Sequence, residues 1–75
     1  MSSYMKEALE YAEQFPPQPG VTMEAYAAQL YTLAQESLRS IHGAPYPSFE
    51  QLDDVTQAGW VRQARRTARK HMRKP

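Results

Sequence analysis

The sequence predicts an all-α fold, a small three- to four-helix domain that ends in a long basic helix. Two observations carry this expectation. Apolar residues recur at three- and four-residue intervals through most of the chain, and strand-like alternation never persists. Proline and glycine gather in two short stretches, 16–20 and 43–47, that cut the chain into helical lengths. A chain of 75 residues has room for one domain spanning 1–75 and for one core. The expected helices cover about 3–14, 22–42, 48–52 and 54–73.

The first helix is capped by Ser2 or Ser3. Met5, Ala8, Leu9, Ala12 and Phe15 share one of its faces, and Glu7, Glu10 and Glu13 line another. Pro16, Pro17, Pro19 and Gly20 stop it, because proline lacks a backbone donor and clashes with the preceding turn. The second helix starts at the N-cap Thr22, with Glu24 at the positive end of its dipole and Val21 and Tyr26 in the two staple positions. Met23, Tyr26, Ala27, Leu30, Leu33, Ala34, Leu38 and Ile41 cluster within roughly 120° of the helical wheel. This is the strongest periodic signal in the chain and marks the central helix. Tyr31 falls off that arc and reads as an ordinary exposed tyrosine, with a contact role as the alternative. Gly43 supplies the left-handed stop, with Pro45 two residues on, and His42 suits the negative helix end.

Ser48 and Gln51 have capping-box spacing around a single helical turn that carries Phe49 and Leu52, and Pro47 with Leu52 could staple it. Asp53 or Asp54 caps the last helix, and Asp54 with Gln57 has the spacing of a second box. Trp60, Val61, Ala64, Ala68 and Met72 make an apolar face of roughly 120°. Gly59 costs a helix interior about 1 kcal/mol, which points to a close backbone approach beside Trp60. The expected centre is Leu30, Leu33, Ala34, Leu38, Phe49, Leu52, Trp60, Val61 and Ala64.

The net charge of +1 hides a strong polarity. Residues 1–54 hold all eight acids against Lys6 and Arg39, a balance of −6; residues 55–75 hold seven cations and no acid. Arg62, Arg65, Arg66, Arg69, Lys70, Arg73 and Lys74 form a candidate surface for nucleic acid or an acidic protein partner. Glu7, Glu10, Glu13 and Glu24 form a candidate acidic partner strip.

Catalytic patterns are missing. His42 and His71 lack metal-ligand spacing, the three glycines are scattered rather than gathered in a phosphate loop, and Ser40 and His42 face different ways on a helix. The expectation is a non-enzymatic protein with no metal, no cofactor and no small-molecule substrate. The absence of cysteine excludes disulfides and thiolate metal sites. The start MSSYMKEALEY lacks the features of a signal peptide, and no apolar run approaches a membrane span. The alanines of the last helix would insert little area into a bilayer, so no membrane partner is expected, and the expected location is the cytoplasm.

The stretch FEQLDDVTQAGWVRQARRTARKHM resembles the last helix of the high-mobility-group box, with Phe49, Leu52, Asp53, Trp60 and Ala64 in the places of that family's aromatic, leucine, cap, second aromatic and alanine. The match covers about a third of the chain. That family's DNA-bending wedge lies on earlier helices, where nothing here corresponds, so no DNA-contacting residue is carried over. The longer stretch from Tyr31 through HGAPYPSFEQLDDVTQAGWVRQAR is similar to small uncharacterised bacteriophage and prophage proteins. That resemblance implies a phage-type accessory protein in a host cell and no particular activity. Three functions follow as expectations: a binding or regulatory protein contacting nucleic acid or a nucleic-acid-handling host complex, a stoichiometric inhibitor of a host enzyme, or a self-assembling structural protein. The oligomeric state is left open.

Overall fold

The computed structural model describes the backbone over residues 3–42 and 46–72 and the side chains over residues 5–38 and 46–72. In order along the chain come α1 (Ser3–Glu13), α2 (Met23–His42), a 3-10 turn (Phe49–Gln51) and α3 (Asp54–Met72). The described residues contain no strand, and the protein is all-α. The expected caps Ser2 and Ser3, and the expected stop at Gly43 and Pro45, lie outside the described side chains.

α2 is the central element, packed against α1 on one side and α3 on the other. Both neighbours run antiparallel to it. Tyr26, near the start of α2, bonds to Phe15 just past the end of α1, and Tyr31 farther along meets Trp60 in the first half of α3. The buried cluster is Ala8 and Ala12 from α1, Tyr26, Ala27, Leu30 and Ala34 from α2, and Ala64 and Ala68 from α3. Alanine occupies most of these sites, so the helices approach closely and few long side chains stand between them. Leu30, Ala34 and Ala64 of the expected centre are buried. Leu33, Leu38, Phe49, Trp60 and Val61 are only partly buried and pack against its flank, and Leu52 is half-buried. The true centre lies closer to α1, through Ala8 and Ala12.

Local chemistry sets the element ends. The Gln18 carbonyl accepts from the Val21 N–H at 3.1 Å, and Gly20 has φ +82°. With Pro19 before it, this is the pattern of a type II turn, in which only the third position needs a positive φ. Thr22 caps α2 as its spacing predicts: its Oγ1 accepts from the Ala25 N–H at 3.1 Å. Gln51 reaches back so that its Oε1 accepts from the Ser48 N–H at 2.9 Å.

At the start of α3, Asp53 is the cap, and its carboxylate accepts from the Thr56 hydroxyl. That bond, foremost, holds the Asp53 carboxyl below its ordinary pKa. The second capping box does not form. The Gln57 amide instead donates to the carbonyls of Phe49 at 3.1 Å and Leu52 at 3.0 Å, tying the 3-10 turn to α3.

Three further expectations are overturned. Tyr31 is only 3% exposed. Its hydroxyl donates to the Pro47 carbonyl at 2.6 Å, and its ring meets Tyr46, Phe49 and Trp60 at centroid distances of 5.5–6.1 Å. The hydroxyl is satisfied, so burial of the ring carries no stranded polar group. Met72 is 81% exposed and does not belong to the apolar face. The buried positions Ala64, Thr67 and Ala68 centre the packed side of α3 roughly 30° away from the expected apolar arc, which turns Met72 outward. Gly59 has no close backbone neighbour, since a Cβ built there meets nothing within 4 Å.

Gly59→Ala should therefore stabilise the protein by about 1 kcal/mol, the helix-propensity difference between the two residues. Urea unfolding monitored by far-UV circular dichroism measures this. An unchanged or lowered midpoint would show that the site is more crowded than its geometry.

Candidate functional site

The outer face of α3 holds the expected cations. Arg62, Arg65, Arg66, Arg69 and Lys70 are all exposed. On a 3.6-residue wheel they span roughly 140°, centred diametrically opposite Ala64, Thr67 and Ala68. No acid interrupts the helix after Asp54. Among the described residues, the one ion pair is between Lys70 and Glu13, at 3.9 Å. Lys70 is 64% exposed, so that contact is worth little and leaves the ammonium available to solvent. Arg73 and Lys74, the rest of the expected set, lie outside the described residues.

The polar residues on the inner side of α3 hold this face outward. The Glu13 side chain is 18% exposed. Its carboxylate accepts from the Gln63 amide at 2.6 Å and from the Thr67 hydroxyl at 2.9 Å. The Glu13 backbone carbonyl, left without a partner by the end of α1, accepts from Nε2 of His71 at 2.9 Å. A carbonyl only accepts, so Nε2 carries the proton in this contact. The neighbouring Tyr26 hydroxyl donates to the Phe15 carbonyl at 2.7 Å. Burial first, and the Glu13 charge second, raise the Tyr26 pKa above the ordinary tyrosine value.

Glu13 therefore leaves the expected acidic strip. Residues three apart on a helix drift by roughly 60° per step, so a line of glutamates spirals, and its third member reaches α3. Glu7, Glu10 and Glu24 remain at the surface. Thr67, 1% exposed, was not singled out by the sequence, because a threonine inside an arginine-rich segment reads as surface.

Two open depressions flank α3. One, of about 320 Å³, is lined by Leu9, Thr56, Gly59, Trp60 and Gln63, none of them titratable. The other, of about 550 Å³, is lined by Val55, Ala58, Val61, Arg62 and Arg65, with Asp54 and Gln57 at the helix start, so an acid and two cations share it. Among the described residues, no group of three or more His, Cys, Asp or Glu is placed to hold a metal ion. No described helix is long and apolar enough to cross a membrane. No protein-family model, curated protein or solved structure matches the chain.

Glu13→Ala removes a charged acceptor from two donors and should lower stability by about 2 kcal/mol; Glu13→Gln, which keeps one acceptor oxygen, should lose less. Equal losses in urea unfolding would mean that the negative charge carries the whole effect and that a neutral acceptor oxygen contributes nothing. Tyr26 has its own signature in alkali. Its folded pKa is raised, so its stabilisation is complete below the unfolded value near pH 10 and is lost as pH rises through the window above it. Tyr26→Phe should be less stable than the parent at pH 8, with the gap narrowing above pH ~10. A gap that does not change with pH would contradict the assignment.

Proposed function

We propose that this is a small non-enzymatic binding protein that contacts the phosphate backbone of nucleic acid through the outer face of α3. One observation carries the reading: Arg62, Arg65, Arg66, Arg69 and Lys70 stand exposed on one continuous face, and the only acid among the described residues to reach any of them is Glu13. Guanidinium groups offer fixed forks of donors that match phosphate oxygens, and a row of them displaces condensed counterions. A phage-type regulatory role in the cytoplasm of a host cell belongs to the same proposal, with the resemblance of residues 31–65 as its support. The bonding of Glu13 to Gln63 and Thr67 weakens the rival reading in which an acidic strip docks on a host enzyme, since that carboxylate is already occupied.

Binding to random-sequence duplex and single-stranded DNA, followed by fluorescence anisotropy between about 50 and 200 mM salt, tests the proposal. If all five cations neutralise phosphates, the logarithm of duplex affinity should fall against the logarithm of salt with a slope of about −4.5, shallower by about 0.9 for each cation that contacts something else. Replacing Arg65 and Lys70 together by Gln should reduce that slope by about 1.8 and leave the thermal midpoint near that of the parent, because both side chains are exposed. No binding to either probe at low salt, or an unchanged slope in the double variant, rejects the proposal.

A further inference from the structure

The exposed part of α3 is broader than contact with a single phosphate strand requires. Exposed side chains run from Met72 at one margin to Thr56 at the other, an arc of roughly 200°, so more than half of the helix stands clear of α1 and α2. The cations sit at both edges of this arc as well as at its middle. Arg65 lies near one edge, Lys70 near the other, and Arg62, Arg66 and Arg69 between them. Val55 and Ala58 within the arc are uncharged, and Asp54, at the same margin as Met72 but at the first turn, is the one acid on it. Glu50, Asp53 and Asp54 crowd the start of the helix, so a polyanion is favoured only along the later turns. From Arg62 to Met72 the helix extends ~15 Å.

The face also lacks something that unpaired bases need. Proteins that hold single strands place aromatic rings where successive bases stack. On α3 the aromatic residue is Trp60, and its ring packs edge-on against Tyr31. The exposed rings Tyr11, on α1, and Phe15, just past its end, pair with each other. A duplex fits the face better than a single strand. Between duplexes, the A-form major groove is too deep and narrow for side chains to read, whereas that of B-form DNA is ~12 Å wide and admits an α-helix ~10–12 Å across.

We infer that α3 lies lengthwise in the major groove of B-form duplex DNA, with Arg65 and Lys70 on phosphates of opposite strands and Arg62, Arg66 and Arg69 turned toward the groove floor. This rests on the nucleic-acid reading above and names its geometry. Arginine forks that reach the floor meet the O6 and N7 acceptors of guanine.

Anisotropy with a short labelled DNA duplex, one of its strands alone, and an RNA duplex of the same sequence tests the inference, together with dimethyl sulfate interference on the DNA duplex. That reagent methylates guanine N7 in the major groove and adenine N3 in the minor groove. The expected result is about tenfold tighter binding to the DNA duplex than to either other probe, with guanine N7 methylation depleted from the bound fraction and adenine N3 methylation tolerated. Equal affinity for all three probes, or interference at adenine N3 alone, overturns groove insertion and leaves backbone contact standing. Failure to bind any probe at low salt removes both readings.

Discussion

The rotation of α3 about its own axis is the constraint on which the rest depends, and the Glu13 carboxylate sets it. A helix that carries five exposed cations and packs mainly through alanine has little apolar area to choose one orientation over a neighbouring one. Bonds from Gln63, Thr67 and His71 to Glu13 lie on successive turns of one side of α3, so a small rotation would break all three. Tyr31 fixes the other end by meeting Trp60 edge-on. Between these two points the alanines need only permit close approach. The cations face outward because the opposite side is fully committed.

Glu13 is an unfavourable residue for its own helix. A carboxylate in the last turn meets the negative end of the helix dipole, where a cation would be preferred. The donors from α3 offset that penalty, and they also close α1, since His71 takes the Glu13 carbonyl while Tyr26 takes that of Phe15. One short segment thus ends a helix, orders the PPQPG connection and positions the distal helix. The weak Lys70 contact adds little to this, being long and exposed.

Much of the fold was legible because it rests on local rules. The Thr22 cap, the bond from Gln51 back to Ser48, the turn around Gly20 and the breaks at proline each depend on residues within four positions of one another. So does the outward set of cations, since like charges on one arc find water most easily. The misread residues depend on partners far along the chain. Tyr31 looked like a surface residue because the carbonyl that satisfies its hydroxyl belongs to Pro47, and Thr67 because its acceptor is on α1. An apolar wheel counts letters, so it drew Met72 into the packed side and left Thr67 out. The cost of Gly59 inside a helix suggests a contact point, yet the residue borders an open depression. The one signal that could have exposed Glu13 is its position, an acid at a helix terminus that repels acids.

The bonds that hold α1 to α3 join residues 50 to 58 positions apart in a chain of 75. Closing so long a loop is entropically costly and is rewarded only when both ends exist. During synthesis, the carboxylate that ends the first helix therefore has no partner until the third helix has been made. The pairing of α1 with α2 needs only nearby residues, whereas the bonds that orient α3 wait until the turns carrying Gln63, Thr67 and His71 have left the ribosome.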